Sequence, residues 1–180
     1  MLRITIPATE EWDETNECFV YTKEQTLQLE HSLVSLSKWE SKWCKPFLFT
    51  PNKTDEEVVD YIRCMTLTQN VNPDVYRCLT ADNIKAVDEY IQRPMTATTF
   101  KEEKNGKKNQ EIVTAEIIYY WMSALQIPFE CRKWHLNRLL TQIRVNSIKN
   151  APPTKMSKRE TISQYAALNA ARKKQLNTKG

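Results

Sequence analysis

The chain has 180 residues, 41% of them hydrophobic and 27% charged, with two glycines and a net charge of +4. That length suits one domain with an appendage, and so little glycine excludes a phosphate-cradling P-loop or a dinucleotide fingerprint. Five scattered cysteines without a CxxC pair suit reduced thiols in an intracellular setting, and no apolar run reaches the roughly 18 residues that span a bilayer. The first residues, MLRITIPATEEW, alternate and then turn acidic, unlike a signal peptide.

In chain order, Leu2, Ile4 and Ile6 alternate with polar residues as in a strand with one buried face, ended by Pro7. Residues 8–17 are polar and suit a turn, and Cys18–Tyr21 and Thr26–His31 offer two further short strands. A small antiparallel sheet of this kind needs an apolar partner, and helix 32–44 supplies one. Ser32 is the predicted N-cap, and Leu33, Leu36, Trp39 and Trp43 form a stripe roughly 120° wide at about 100° per residue. Glu40 lies inside that stripe, so it is expected either to meet a cation or to mark the edge of water. Pro46 is the expected stop.

Thr54 and Glu57 form a capping box for a helix running to about residue 67, with Val58, Ile62 and Met65 inward. Asn72-Pro73 starts a short helix containing Val75, Tyr76 and Leu79, and Thr80 starts the next, with Ile84, Val87 and Ile91 inward and Pro94 closing it. Thr96–Phe100 and Glu111–Val113 flank Asn105-Gly106, which reads as a second hairpin or as an exposed loop. Thr114 then caps a helix whose Ile117, Ile118, Tyr119, Tyr120, Trp121, Met122 and Leu125 surround its axis, a pattern expected of a central helix. After Ile127-Pro128 a last long helix, about 129–149, buries Leu136, Leu139, Leu140, Ile143 and Ile148. The Asn150–Pro153 break marks the end of the body, and Ser157–Glu160 is a second capping box for a tail helix to about residue 174. The predicted fold is therefore α+β and predominantly helical: a compact domain over 1–150 and a basic, weakly anchored helical tail over 151–180. The tail holds seven cations against Glu160, a net +6, which leaves −2 for the body.

The candidate chemistry is sparse. Cys131 and His135 stand at i, i+4, but zinc takes about four ligands and no paired Cys or His motif supplies the others; a structural thiol beside a partly exposed histidine is the simpler reading. A Cys/His nucleophile pair would need an activating environment that spacing alone does not provide. Asp55, Glu56 and Glu57 are explained by the helix dipole. No catalytic, metal-binding or cofactor-binding residue is therefore expected. Nucleic-acid binding is an alternative, because Arg132, Lys133, Trp134, Arg138, Arg144 and Lys149 lie along one predicted helix and the tail is basic, although the body is acidic.

The stretches TLQLEHSLVSLSKWESKWCKPFL, DYIRCMTLTQNVNP, PMTATTF, EIIYYWMSALQIPFECRKWHLNRLLTQIRVNSIKN and ALNAARKKQLNTKG together resemble the tail assembly chaperones of long-tailed bacteriophages and prophages, and cover nearly the whole chain. The resemblance implies a non-enzymatic helper in the host cytoplasm that binds the tape measure protein and keeps it soluble until the tail tube forms around it. Members of that class are often made in two lengths by a ribosomal frameshift, but no long second segment of that kind is visible here. A helper of this sort has to offer aromatic anchors or apolar grooves to client helices. The candidates are Trp39, Trp43, Tyr119, Tyr120 and Trp134 in the body, and Tyr165, Leu168, Arg172, Lys173 and Lys174 in the tail, with a core role open for each of the aromatics. A homo-oligomer, and a structural virion protein such as a head–tail connector or tail completion protein, are the alternatives carried forward.

Overall fold

The computed structural model describes residues 1–13, 17–100, 111–151 and 158–176. The period-two pattern at the start becomes β1 (Leu2–Ile6), which pairs antiparallel with β4 (Gln25–Leu29) and buries Ile4 and Ile6 beside Leu27 and Leu29. Residues 9–13, expected in a turn, instead form β2 (Thr9–Asp13), paired with β3 (Cys18–Thr22). The two ladders keep one register across the gap, with Ile6 opposite Gln25 and Thr9 opposite Thr22. Pro7, which has no amide to give, sits at the break. Pairing extends a strand whose residues are too polar to announce it. Thr9 Oγ1 donates to Cys78 Sγ at 2.9 Å, tying this outer half to the 3-10 turn Pro73–Cys78.

The other edge of β4 is covered by the chain leaving the second helix. The Glu30 amide donates to the Met65 carbonyl at 2.9 Å, the Leu67 amide to the Gln28 carbonyl at 2.8 Å, and the Gln28 amide to Thr68 Oγ1 at 2.9 Å. Backbone groups that would invite another strand are thereby used.

Helix α1 (Leu33–Trp43) starts at Ser32, whose hydroxyl accepts from the Ser35 amide, and ends at Cys44 in the left-handed region, two residues before Pro46. It occupies the middle of the body. Leu33, Leu36 and Trp39 have no solvent exposure, and α1 packs on α2 (Asp55–Met65), on α4 (Ala115–Ala124) and on the 3-10 turns Phe47–Phe49 and Phe129–Lys133. Helix α3 (Ala81–Gln92) packs on β1, and only its Val87 and Tyr90 are buried; Ile84, expected inward, is exposed.

Three further expectations are corrected. Thr96–Phe100 and Glu111–Val113 are not strands; the Thr98 amide is taken locally by Thr96 Oγ1 at 3.1 Å, and the predicted turn between them lies outside the described residues. Helix α4 is not central. It buries the line Ala115, Ile118 and Met122 against α1, leaves Tyr119 and Trp121 half-buried, and exposes Tyr120. The long helix of 129–149 is two elements, because Trp134 is extended after the 3-10 turn and His135 precedes α5 (Leu136–Asn150). Arg132, Lys133 and Trp134 therefore do not share a helix with Arg138, Arg144 and Lys149.

The chain divides into two compact units, Met1–Ser147 and Ile148–Gly180. The second contains α6 (Lys158–Leu176), on which Ile162, Tyr165, Leu168 and Leu176 are exposed. Its proposed capping residue, Ser157, lies outside the described residues.

Glu40 resolves its position in the apolar stripe in a way the sequence reading did not foresee. It is buried and enters no ion pair among the described residues: one carboxylate oxygen accepts from the Phe47 amide at 2.9 Å and the other from the Ala115 amide at 2.7 Å. Ala115 opens α4, and Thr114, the predicted cap, makes no side-chain cap bond, so the helix is capped from α1. Burial pushes the Glu40 carboxyl above its usual range, against the downward pull of the two amides. Removing the carboxylate strands two buried amides, so Glu40→Leu is expected to cost about 2–4 kcal/mol in urea unfolding, and Glu40→Gln, which keeps an acceptor, distinctly less.

Candidate functional site

The two tryptophans of α1 have different fates. Trp39 is 0% exposed and its indole Nε1 donates to the Glu57 carbonyl at 2.9 Å. It is therefore core and presents nothing to a partner, which corrects its place among the candidate anchors. Trp43, half-buried, donates from Nε1 to Asp60 Oδ2 at 2.9 Å, while Lys42 Nζ pairs with Asp60 Oδ1 at 2.6 Å and lies over the Trp43 ring. Lys45 likewise pairs with Glu57 and, together with the Thr54 amide, holds that carboxyl below its usual range. Both indoles thus fasten α1 to α2, and the carboxylates between them are consumed in doing so.

Helix α4 provides the surface that sequence periodicity had assigned to the interior. Its buried line takes one side. Around the helix from it, Ile117, Trp121 and Leu125 are half-buried, and Tyr120 is 68% exposed. With Ala124 these positions form an i, i+3, i+4, i+7 stripe, the spacing with which one helix offers itself to another. An open groove of about 270 Å³ lies beside it, lined by Trp121, Ala124, Leu125, Ile143 and Ser147. On the other flank Tyr119 stacks with Phe129 at 6.0 Å between centroids, and Phe129 is itself 50% exposed. Burial and Glu116 push the Tyr119 hydroxyl above its ordinary range, with Arg132 pulling the other way. Tyr119 and Tyr120 stood among the sequence candidates, whereas Leu125 and Phe129 did not; apolar residues on every side of α4 gave no sign of which flank is uncovered.

Trp134 is half-buried under the guanidinium of Arg138, 4.2 Å from the ring centre. The tail candidates Tyr165, Leu168, Arg172, Lys173 and Lys174 are all exposed on α6.

His135 is not the partly exposed residue expected. It is buried, 5.1 Å from the ring of His31, with the two imidazoles edge-on. The Asn137 amide donates to His135 Nδ1 at 3.3 Å, so this ring caps α5; its Nε2 therefore carries the proton and donates to the Tyr90 carbonyl at 3.1 Å. Both nitrogens are used, which removes His135 as a metal ligand. His31 Nδ1 is bonded to the Tyr61 hydroxyl at 2.6 Å, and the Tyr90 hydroxyl donates to Glu30 at 2.8 Å. No group of three or more His, Cys, Asp or Glu side chains suited to a metal occurs among the described residues, and none of their helices is long and apolar enough to cross a membrane.

No protein-family model matches the chain, and no curated protein or solved structure does either.

Two measurements follow from these placements. Trp39→Ala is expected to lose about 3–5 kcal/mol of unfolding free energy, whereas Tyr120→Ala should stay within about 0.5 kcal/mol of the parent. The histidines give a pH signature. Burial depresses His31 to about 3, and burial likewise depresses His135. A depressed folded value means that the unfolded chain binds more protons below the ordinary value of about 6.5. Stability is thus complete above that pH and falls as pH drops toward the folded value, by up to about 1.4 kcal/mol per pH unit for His31, with His135 adding a loss in the same direction. Urea titrations across this range should show that slope, and His135→Asn, which can still cap α5, should remove one histidine's share.

Proposed function

We propose that this protein is a non-enzymatic helper of phage tail assembly, holding helices of a long client such as the tape measure protein in the host cytoplasm until the tube replaces it. The observation that carries the reading is the uncovered flank of α4, where Tyr120 is exposed and Ile117 and Trp121 are half-buried next to an apolar groove. Contiguous aromatic surface at helix-docking spacing is costly to leave in water unless something is to cover it. Half-buried anchors also suit a transient complex, since the part of each ring already packed at home adds nothing to the client's affinity. The resemblance of the sequence to tail assembly chaperones supports the same reading. The tail helix, with Arg172, Lys173 and Lys174 exposed, adds a cationic arm that can steer association with an acidic partner.

Co-expression with a tape measure protein of a long-tailed bacteriophage, followed by pull-down, tests the proposal. The parent chain should retain the client in the soluble fraction, and Tyr120→Ser combined with Trp121→Ser should release it while the urea midpoint moves little. Mass spectrometry of purified virions should find the protein absent. Its presence at stoichiometric level would instead make it a structural component of the particle.

A further inference from the structure

Helix α2 borders two open grooves on adjacent sides, and Ile84 of α3 belongs to the lining of both. One, about 370 Å³, is built from Phe47, Val58, Ile62, Ile84, Val87 and Ile91. The other, about 380 Å³, carries Asp55, Glu56, Val59, Tyr76, Leu79 and Ile84. The two grooves share Ile84, 38% exposed, and are treated together as a trough: one end is chiefly apolar, and the other holds Asp55, Glu56, Asp60 and Asp74 beside Lys42, Arg63 and Arg77.

The charges of this trough are not equivalent. In the charged half Asp60 is taken by Lys42 and Arg63, whose guanidinium also lies over the Tyr76 ring, and Asp74 by Arg77, whereas Asp55 and Glu56 are exposed and enter no ion pair among the described residues. In the apolar half, Lys53 is held down: its ammonium donates to the Thr50 carbonyl at 2.7 Å and lies 4.2 Å from the centre of the Phe47 ring. Asp88 accepts from Gln92 on its own helix at 2.7 Å.

We propose that this trough binds an amphipathic helix of another protein whose apolar stripe runs into a cationic last turn. Large aliphatic side chains of that helix fill the half lined by Val58, Ile62, Val87 and Ile91, and its terminal Lys or Arg residues reach Asp55 and Glu56. The arrangement fixes direction as well as place. Cations at the C-terminal end of a helix complement that helix's own dipole, so the docked segment lies with its last turn over the first turn of α2. Charge-assisted bonds at the rim set orientation and encounter rate, and the aliphatic contacts supply the affinity. This site is separate from the α4 flank and does not require the tail-assembly reading.

The probes are two fluorescein-labelled helical peptides sharing a Leu/Ala stripe, one ending in a lysine turn and the other in a glutamate turn, titrated by anisotropy against the full chain. The lysine-ended peptide is expected to bind roughly tenfold more tightly or better. Ile84→Asp should cost it a similar factor, and Glu56→Lys should erase the preference between the peptides. Both variants should keep the parental circular dichroism, because both positions are exposed, and Glu56→Lys should lower the urea midpoint only slightly, by the helix-dipole share of its charge. Tyr120→Ser should change nothing in this assay. Equal affinity for the two peptides, tighter binding of the glutamate-ended one, or indifference to Ile84→Asp would overturn the proposal. Concentration-dependent self-association abolished by Ile84→Asp would overturn it too, by assigning the trough to a second copy.

Discussion

A single carboxylate inside an apolar stripe organises the body of this protein. Glu40 leaves α1 on the same side as Leu36 and Trp39, where a charge has no business unless it is paired, and it joins two backbone amides that belong to different segments. One opens the 3-10 turn after α1; the other begins α4, which has no side-chain cap of its own. Because the partners are 75 residues apart in the case of Ala115, the bond makes the start of α4 conditional on α1 being in place. Helix α1 is thus more than the most buried element. It carries the acceptor without which two of its neighbours would bury orphan donors.

The same logic recurs around it. Trp39 and Trp43 each spend the indole N–H on α2, and His31 and His135 join the end of β4, the end of α3 and the start of α5 through Tyr61, Tyr90 and Asn137. No buried side-chain nitrogen or oxygen among the described residues lacks a partner. A core whose polar atoms are all satisfied pins the elements in one arrangement more sharply than aliphatic packing does, since each bond works only in one register. One flank of α4 and the grooves beside α2 lie outside this inner network.

Local chemistry made the helix starts legible. Ser32, Thr54, Asn72 and Thr80 cap the helices and turns that their spacing announced, and the α+β, mostly helical class follows from the same signals. What sequence reading lost depends on partners distant along the chain. Strand β2 exists because β3 pairs with it, while its own residues, Thr-Glu-Glu-Trp-Asp, have the composition of a turn. The cap of α4 comes from Glu40, and His135 ends a run of helical periodicity because its ring is claimed by Tyr90 and Asn137 and the Leu136 amide after it donates to the His31 carbonyl. For the site, the aromatic content of residues 117–121 was plain and put Tyr119 and Tyr120 among the candidates, but the side of the helix that faces out was not legible. An apolar girdle around a helix marks burial only when neighbours surround it, and α4 has its main support, α1, on one side.

The hairpin at the start of the chain carries a mechanical implication. Its inner half is clasped between α3 and the segment after α2, while its outer half rests on the Pro73–Cys78 turn. The two halves keep a common register across a short unladdered stretch at Pro7. The ribbon therefore possesses an elbow: the outer arm can alter its pitch without breaking an inner rung or sending a buried side chain to the wrong face.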